Sequence, residues 1–347
     1  MFTIIRNSAK RAIKRAAITG GLEAAALAAR LGARVRARGA IFTLHHVRPK
    51  TEQGFNPNAH LDITPDFLAD AIDRLRQEGF DFVRLDEVPA LLADGNRRRP
   101  FAAFTLDDGY RDNAQYALPV FEDADVPLTV FVTKGFAERR QTIWWETAAA
   151  MLQYADRLQF DFGKGRETLE IRTVAGKMAA FKRLEDAAFL ENEAAFVRKI
   201  DQAARALNVH PQSIVHDETM DAYELKRFAA HPLVSLGAHT VTHPALALLD
   251  EEAARGEMIE SADYVEKITG IRPTSIAYPY GFAKAVSARE HRLAAEAGFS
   301  LAVTTSPGLL RGKGRDNLFA LPRISLNGHY QKPRYVSALA SGLPFLI

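Results

Sequence analysis

The sequence predicts an α/β protein whose parallel sheet curls towards a barrel, and three observations carry that expectation. Apolar runs that read as strands alternate with helical patterns along most of the chain, as they do where helices connect parallel strands. The runs are numerous enough to suggest closure: Ala40 to Leu44, Phe82 to Leu85, Ala102 to Leu106, Leu128 to Val132, Val234 to Gly237, Ser275 to Tyr278, Leu301 to Thr304 and Leu321 to Ile324. With 347 residues, 47% hydrophobic and 25% charged, the chain can fill one large or two ordinary domains, and disorder is not expected to dominate.

The first element is a basic arm. Residues 1–38 hold Arg6, Lys10, Arg11, Lys14, Arg15, Arg30, Arg34, Arg36 and Arg38 against Glu23 alone, a net +8 in a chain of net +3, which leaves −5 for the rest. Such an asymmetry suggests electrostatic attachment through the arm and argues against a nucleic-acid-binding body. The alanine-rich stretch from Ile18 to Leu31, broken by Gly20, Gly21 and Glu23, is too weakly apolar for a signal peptide. No run approaches the roughly 20 apolar residues of a bilayer span. The expectation is a cytoplasmic protein. Its arm contacts a membrane surface through Phe2, Ile4, Ile5, Ile13 and Ile18, or is a solvated helix resting on the body.

Beyond the arm, Thr64 and Pro65 mark a helix start, because proline lacks an N–H where the first helical turn needs none. Phe67, Leu68, Ala71, Ile72 and Leu75 follow at helical spacing, as do Met258, Ile259, Ala262, Val265, Glu266 and Ile268; both stripes read as core. Residues 139–216 interrupt the alternation with Trp144 and Trp145, a hairpin-like stretch from Leu158 to Ile171 and a charged helical stretch from Val174 to Leu207. The expected division is therefore an arm, 1–38, and one barrel, 39–347, carrying an insertion at 139–216 that shapes binding from the surface. No cysteine is present, so any metal is held by His, Asp or Glu.

Two motifs carry chemistry. Asp107 and Asp108 close the run Phe104-Thr105-Leu106, and adjacent carboxylates at a buried strand end need a metal, a proton or basic neighbours. Asp-Asp-Gly also suits a solvated turn. The second motif, His239-Thr240-Val241-Thr242-His243, follows the run from Val234 to Gly237. Two imidazoles four positions apart at a strand end, joined by a carboxylate, make a zinc-type site with an open position.

Thr105-Leu106-Asp107-Asp108-Gly109, His239-Thr240-x-x-His243 and Ala277-Tyr278-Pro279-Tyr280-Gly281 resemble the three motifs of the polysaccharide deacetylases, carbohydrate esterase family four. The last departs from the family by Ala277 in place of arginine. The resemblance runs from about residue 40 to 330. It implies a distorted (β/α) barrel of seven or eight strands with catalytic groups at the C-terminal strand ends. By position it makes Asp107 the base, Asp108, His239 and His243 the metal ligands, and the Tyr280 backbone N–H an oxyanion donor. The family's late Leu-x-His is missing after Pro307, and His329 sits in a loop-like setting. Ile41-Phe42-Thr43-Leu44-His45-His46-Val47 is similar instead to the branch acting on biofilm poly-N-acetylglucosamine, whose first strand carries the acid. His45 is assigned that role, with His46 competing. Arg323, after Leu321-Pro322, is the candidate to replace the missing arginine.

The resemblance implies removal of N-acetyl groups from N-acetylglucosamine-type poly- or oligosaccharides. Zn2+ is the default ion, and Co2+ and Ni2+ suit one carboxylate and two imidazoles as well. Lipid-linked sugars and small amides are alternative substrates. A carbohydrate-binding barrel without catalysis is the rival of another class.

Overall fold

Short apolar runs buried on both faces build a ring of parallel strands in the computed structural model, which describes residues 2–51, 54–96, 98–189 and 192–346, with side chains from Lys14 onward. The strands are β1 (Gly39–Leu44), β2 (Phe101–Leu106), β3 (Leu128–Val132), β4 (Val234–Ala238), β5 (Ser275–Ala277), β6 (Leu301–Val303) and β7 (Ile324–Ser325). They pair in the order β6-β5-β4-β3-β2-β1-β7, all parallel. Register is continuous from Gly39 opposite Phe101 to Leu44 opposite Leu106. A parallel bridge from Val303 to Leu321 brings the approach to β7 against β6, while Ile324 pairs with Phe42 on β1. One segment thus joins the two edges of the sheet, and the architecture is a distorted (β/α) barrel.

Alternation decides which side chains face inward. Ile41, Phe101, Ala103, Phe131, Ala277, Val303 and Leu321 cluster together, whereas Phe42, Phe104, Val130 and Ile324 pack outward with Leu68, Ile72 and Phe121 from the surrounding helices. The helix Pro65–Gln77 starts at Thr64, whose side chain accepts from the Phe67 N–H, and buries the predicted stripe. The expected strand from Phe82 to Leu85 is shorter. Only Asp81–Phe82 pairs, beside β2, and a 3-10 turn takes over at Leu85 because the Glu87 carboxylate accepts the Arg84 N–H.

Residues 139–216 contribute the helices Trp144–Tyr154, Val174–Ala188, Glu193–Ala206 and Pro211–Glu218 and a hairpin pairing Arg157–Asp161 with Arg166–Glu170. They form a hydrophobic cluster of their own around Trp144, Met151, Leu158, Phe181, Phe196 and Val215. Tyr110, just after β2, and Phe136, in the short helix Lys134–Ala137 after β3, belong to the same cluster, so this segment rests over the C-terminal end of the barrel.

The basic arm is helical from Phe2 to Arg30. Phe2, Ile4, Ile5 and Ile13 lie outside the described side chains, and Ile18 is exposed. Leu22, Ala25 and Ala26 pack on Tyr335 and Ala338 of the helix Pro333–Ala340. Glu23, the arm's one acid, accepts from Arg334 at 2.6 and 2.7 Å and from the Tyr335 hydroxyl at 2.5 Å. Hydrogen bonds from Arg334 and Tyr335 hold its carboxyl down at about 2. Exposed ion pairs contribute little to global stability, so Glu23→Ala is expected to move the melting temperature by about 2 °C or less while quickening tryptic cleavage within the arm. An unchanged digestion pattern counts against this anchor. No described helix is long and apolar enough to cross a membrane.

Candidate active site

Three strand ends turn sharply above the barrel. Asp108 after β2, Thr240 and His243 after β4, and Tyr280 after β5 all have left-handed backbones, with φ of 74°, 64°, 58° and 61°. Such conformations cost a non-glycine residue about 1–3 kcal/mol each and persist where the surroundings impose them. Here the impositions are visible. On the loop after β4, Glu257 of the helix Glu251–Thr269 accepts the Val241 and Thr242 N–H groups at 2.7 and 2.9 Å. Ser261 of the same helix accepts the His239 N–H at 3.1 Å. On the loop after β5, the Gly281 N–H bonds back to Pro279, and Thr305 donates to the Tyr280 carbonyl at 2.6 Å. A Cβ at Gly281 would lie 2.5 Å from the Thr305 nitrogen, so that close approach requires glycine.

These turns converge Asp108, His239 and His243, all buried, with their ligating atoms within 4.8 Å of one another. The His239 Nδ1–H donates to the Ala277 carbonyl at 2.7 Å, which leaves the Nε2 lone pair facing inward. His239 and His243 present Nε2 to Asp108 Oδ1 at 3.5 and 3.4 Å. Those distances fit a shared cation, since donors about 2.0–2.2 Å from a tetrahedral ion stand roughly 3.4 Å apart. Asp108 Oδ1 has no hydrogen-bond partner among the described residues. Burial and the adjacent Asp107 charge push the Asp108 carboxyl well up, while burial pushes both imidazoles down towards the neutral, ligating form. A carboxylate confronting two lone pairs in a buried place is stable with a cation between them. The donor set therefore fits a divalent metal.

Asp107 continues the inward face of Ala103 and Thr105, and Arg323 continues that of Leu321. The two meet inside the ring. Arg323, 1% exposed, donates from Nη1 to Asp107 Oδ1 at 2.7 Å and from Nη2 to Oδ2 at 2.6 Å. Its other donors reach Thr105 Oγ1 and the Thr304 carbonyl at 3.1 and 2.9 Å. Burial alone would raise the Asp107 carboxyl, but the guanidinium charge and hydrogen bonds overcome it and hold the group well below the usual carboxylate range. Ala277, where the family motif has arginine, is wholly buried and offers its carbonyl to His239.

His45 and His46 separate in role. His45 Nε2 stands 4.0 Å from Asp107 Oδ2 with its side chain 23% exposed, and burial pushes its imidazole down to about 3. His46 is fully buried against Tyr110, ring centroids 3.6 Å apart, with Nδ1 2.6 Å from Asp112 and Nε2 3.8 Å from Glu146. Burial opposes its charge, yet Asp112 and Glu146 raise it to about 10. A histidine raised on folding stabilises fully below its ordinary value of 6.5 and ceases to as pH passes about 10. Unfolding free energy is thus expected to fall between those limits, and His46→Asn to remove the fall and cost about 3 kcal/mol at pH 6 by taking away the cation that faces Asp112 and Glu146. Denaturant titrations at pH 6, 8 and 10 check this; parallel slopes for both proteins would refute it.

Of the remaining candidates, Tyr280 packs its ring 5.0 Å from that of His243, and its N–H has no protein acceptor among the described residues. Its hydroxyl accepts from Trp144 Nε1 at 2.9 Å and donates to Glu193. Trp145 Nε1 donates to the Tyr110 hydroxyl at 3.0 Å. Both tryptophans are buried, and Tyr278 is core, bonded to the Phe319 carbonyl. His329 is exposed beside Arg15 and His60, apart from the site. Sequence reasoning did not find Glu257, Asp112, Glu146 or Glu193, because nothing local distinguishes them from solvated acids.

A parallel barrel with this strand-end constellation belongs among hydrolases. The family model described as polysaccharide deacetylase matches residues 94–158 and 193–302, just over half of the chain, and the protein belongs to that family. It is an enzyme, a polysaccharide deacetylase. The stretch left unmatched between the two parts covers most of the hairpin and the helix Val174–Ala188, and His45 and Arg323 lie outside the match on either side. Among solved structures the chain is similar to the deacetylase PplD of Streptococcus pyogenes in complex with acetate, at 19% identity and a TM-score of 0.55 over 85% of this chain and 94% of that one. It is similar to IcaB of Ammonifex degensii at 17% identity and a TM-score of 0.56, over 88% and 98%. The deacetylase domain of BpsB from Bordetella bronchiseptica follows at 15% and 0.50, over 84% and 97%. At these identities the likeness is one of fold. No curated protein sequence matches the chain.

Proposed function

We propose that the protein removes N-acetyl groups from N-acetylglucosamine-type poly- or oligosaccharides, releasing acetate, with a divalent cation, Zn2+ by default, held by Asp108, His239 and His243. The observation that carries this reading is the confrontation of Asp108 Oδ1 with two imidazole Nε2 atoms beside the buried Asp107–Arg323 pair. An ion bound there supplies Lewis acidity to the acetamide carbonyl and to water.

The chain's own groups handle the protons. Asp107 stays ionised, and each of its oxygens keeps a lone pair not used by Arg323, so it accepts the proton of the attacking water as the carbon–oxygen bond forms. Its proton affinity is low, so the proton is passed on. His45 is neutral at rest, and its 4.0 Å separation from Asp107 is longer than a hydrogen bond, leaving room between them. It receives that proton and delivers it to the nitrogen as the carbon–nitrogen bond breaks, giving acetate and the free amine. The unpartnered Tyr280 N–H holds the oxyanion.

The basic arm and the insertion keep their expected roles as proposals: an arm touching a membrane surface, and a segment that shapes binding. A second reading, a lipid-linked acetylated sugar, draws support from an apolar cavity of about 420 Å3 lined by Ala17, Ile18, Leu22, Phe67, Tyr335 and Leu339 between the arm and the body. Acetate release is to be measured from N-acetylglucosamine oligomers, lipid-linked acetylated sugars and small amides, with Zn2+ added and with chelator. Release from the oligomers that chelator abolishes is the expected result. Absence of release from every acetylated sugar would end the deacetylase reading.

A further inference from the structure

Glu193 opens the helix Glu193–Ala206 in the inserted segment, far in sequence from every group used above. Its carboxylate oxygens are divided between two loops. Oε1 accepts from the Tyr280 hydroxyl on the loop after β5, and Oε2 accepts the Ala245 N–H, 2.9 Å, on the loop that carries His243. The Tyr280 hydroxyl is held on its other side by Trp144 Nε1, also from the insertion. Phe189 packs its ring 4.9 Å from that of Tyr280. Both loops contain left-handed residues, Thr240, His243 and Tyr280, which relax unless something outside them prevents it. Glu257 secures the front of the first loop and Thr305 the carbonyl side of the second, but among the described residues only the Glu193 side chain bonds to both. Burial raises its half-buried carboxyl to about 7, against the pull of its bonds to Tyr280 and Ala245.

We propose that Glu193 is a positioning residue: one carboxylate, delivered by the insertion, that locks the Tyr280 turn and the His243 loop into mutual register. The insertion is then a working part of the site and not a cover over it. The effect on turnover rests on the deacetylase reading, whereas the effect on the loops does not. Since both oxygens are engaged, Glu193 does not reach substrate, and its loss acts on kcat with KM retained.

The test compares full-length wild type with Glu193→Ala, the isosteric Glu193→Gln, Tyr280→Phe and the Glu193→Ala/Tyr280→Phe pair. Hydrogen exchange is followed in peptides covering 239–246 and 278–283, and kinetics on N-acetylglucosamine oligomers. Expected are faster exchange in both loops of Glu193→Ala and kcat lower by about 100-fold, the scale of a small misplacement, with KM within about twofold. Glu193→Gln, which keeps one acceptor, falls between. The double variant is no worse than Glu193→Ala, because the two side chains act as one unit. Unchanged exchange in both loops overturns the proposal, as does unchanged kcat or full additivity in an active enzyme. If wild type releases no acetate while exchange still rises in Glu193→Ala, the deacetylase reading fails and the lock stands.

Discussion

Asp108→Asn is expected to empty the cation site and to lower acetate release by about three orders of magnitude, because the ion and the Lewis acidity that it supplies depend on the one anionic donor of the set. Asn keeps the shape but offers a neutral oxygen, and two imidazoles alone hold a divalent ion weakly. The variant also separates loss of metal from loss of fold. Without an ion, Asp108 is a buried carboxylate next to Asp107 with one oxygen unpartnered, so metal-free Asp108→Asn should be as stable as metal-free wild type or more so by about 1–3 kcal/mol. Added Zn2+ should then raise the melting temperature of wild type and leave the variant unmoved. Metal analysis after dialysis, run with thermal melts and acetate release, decides the matter. Retention of one tightly held ion by Asp108→Asn would remove Asp108 from the ligand set.

Arg323→Ala has the second large effect, and it strikes stability and turnover together. Truncation leaves the Asp107 charge buried without its partner, a change that costs about 3–5 kcal/mol. It also frees the Asp107 carboxyl to rise, which protonates part of the population and misplaces the base; turnover is expected to fall by about 10²–10⁴. Arg323→Lys keeps the charge and loses the two-pronged geometry, so it lies between. Asp107→Asn added to Arg323→Ala should restore much of the stability and none of the activity. The pH dependence follows from the sign. Asp107 is depressed by folding, so its stabilisation is present above its ordinary value of 3.8 and is lost as pH falls below it towards the lower folded value. Arg323→Ala should therefore unfold in denaturant with less acid sensitivity than wild type. Wild-type stability and kcat in Arg323→Ala would show that the ion pair matters to neither.

The legible parts of the site are those where chemistry and strand end coincide in the chain. Asp107-Asp108-Gly109 follows six consecutive buried residues, and His239 follows a strand whose parity and length set the turn, so local sequence names these positions. Arg323 was legible as the candidate to replace the missing arginine, a charged residue in an apolar run, but not in its contact with Asp107. Its pairing with Asp107 depends on two strands from opposite ends of the chain closing the ring, with Leu321 reaching β6 and Ile324 reaching β1. His45 and His46 are adjacent and indistinguishable by composition. Alternation turns one towards Asp107 and the other into the contact with Tyr110, Asp112 and Glu146, which includes a residue of the insertion.

By itself the sequence determined the class of fold and the charge asymmetry of the arm, because periodicity and charge are local properties, and its motifs, by their resemblance to a known family, named the candidate carboxylate and imidazole donors. Tertiary structure alone decided which cation faces Asp107, which of two neighbouring histidines stays near the site, and how Glu193 and Glu257 hold loops to which they are not adjacent. Those choices depend on which strand ends meet and on what becomes buried between them, and burial is a property of the closed barrel that no short stretch of chain contains.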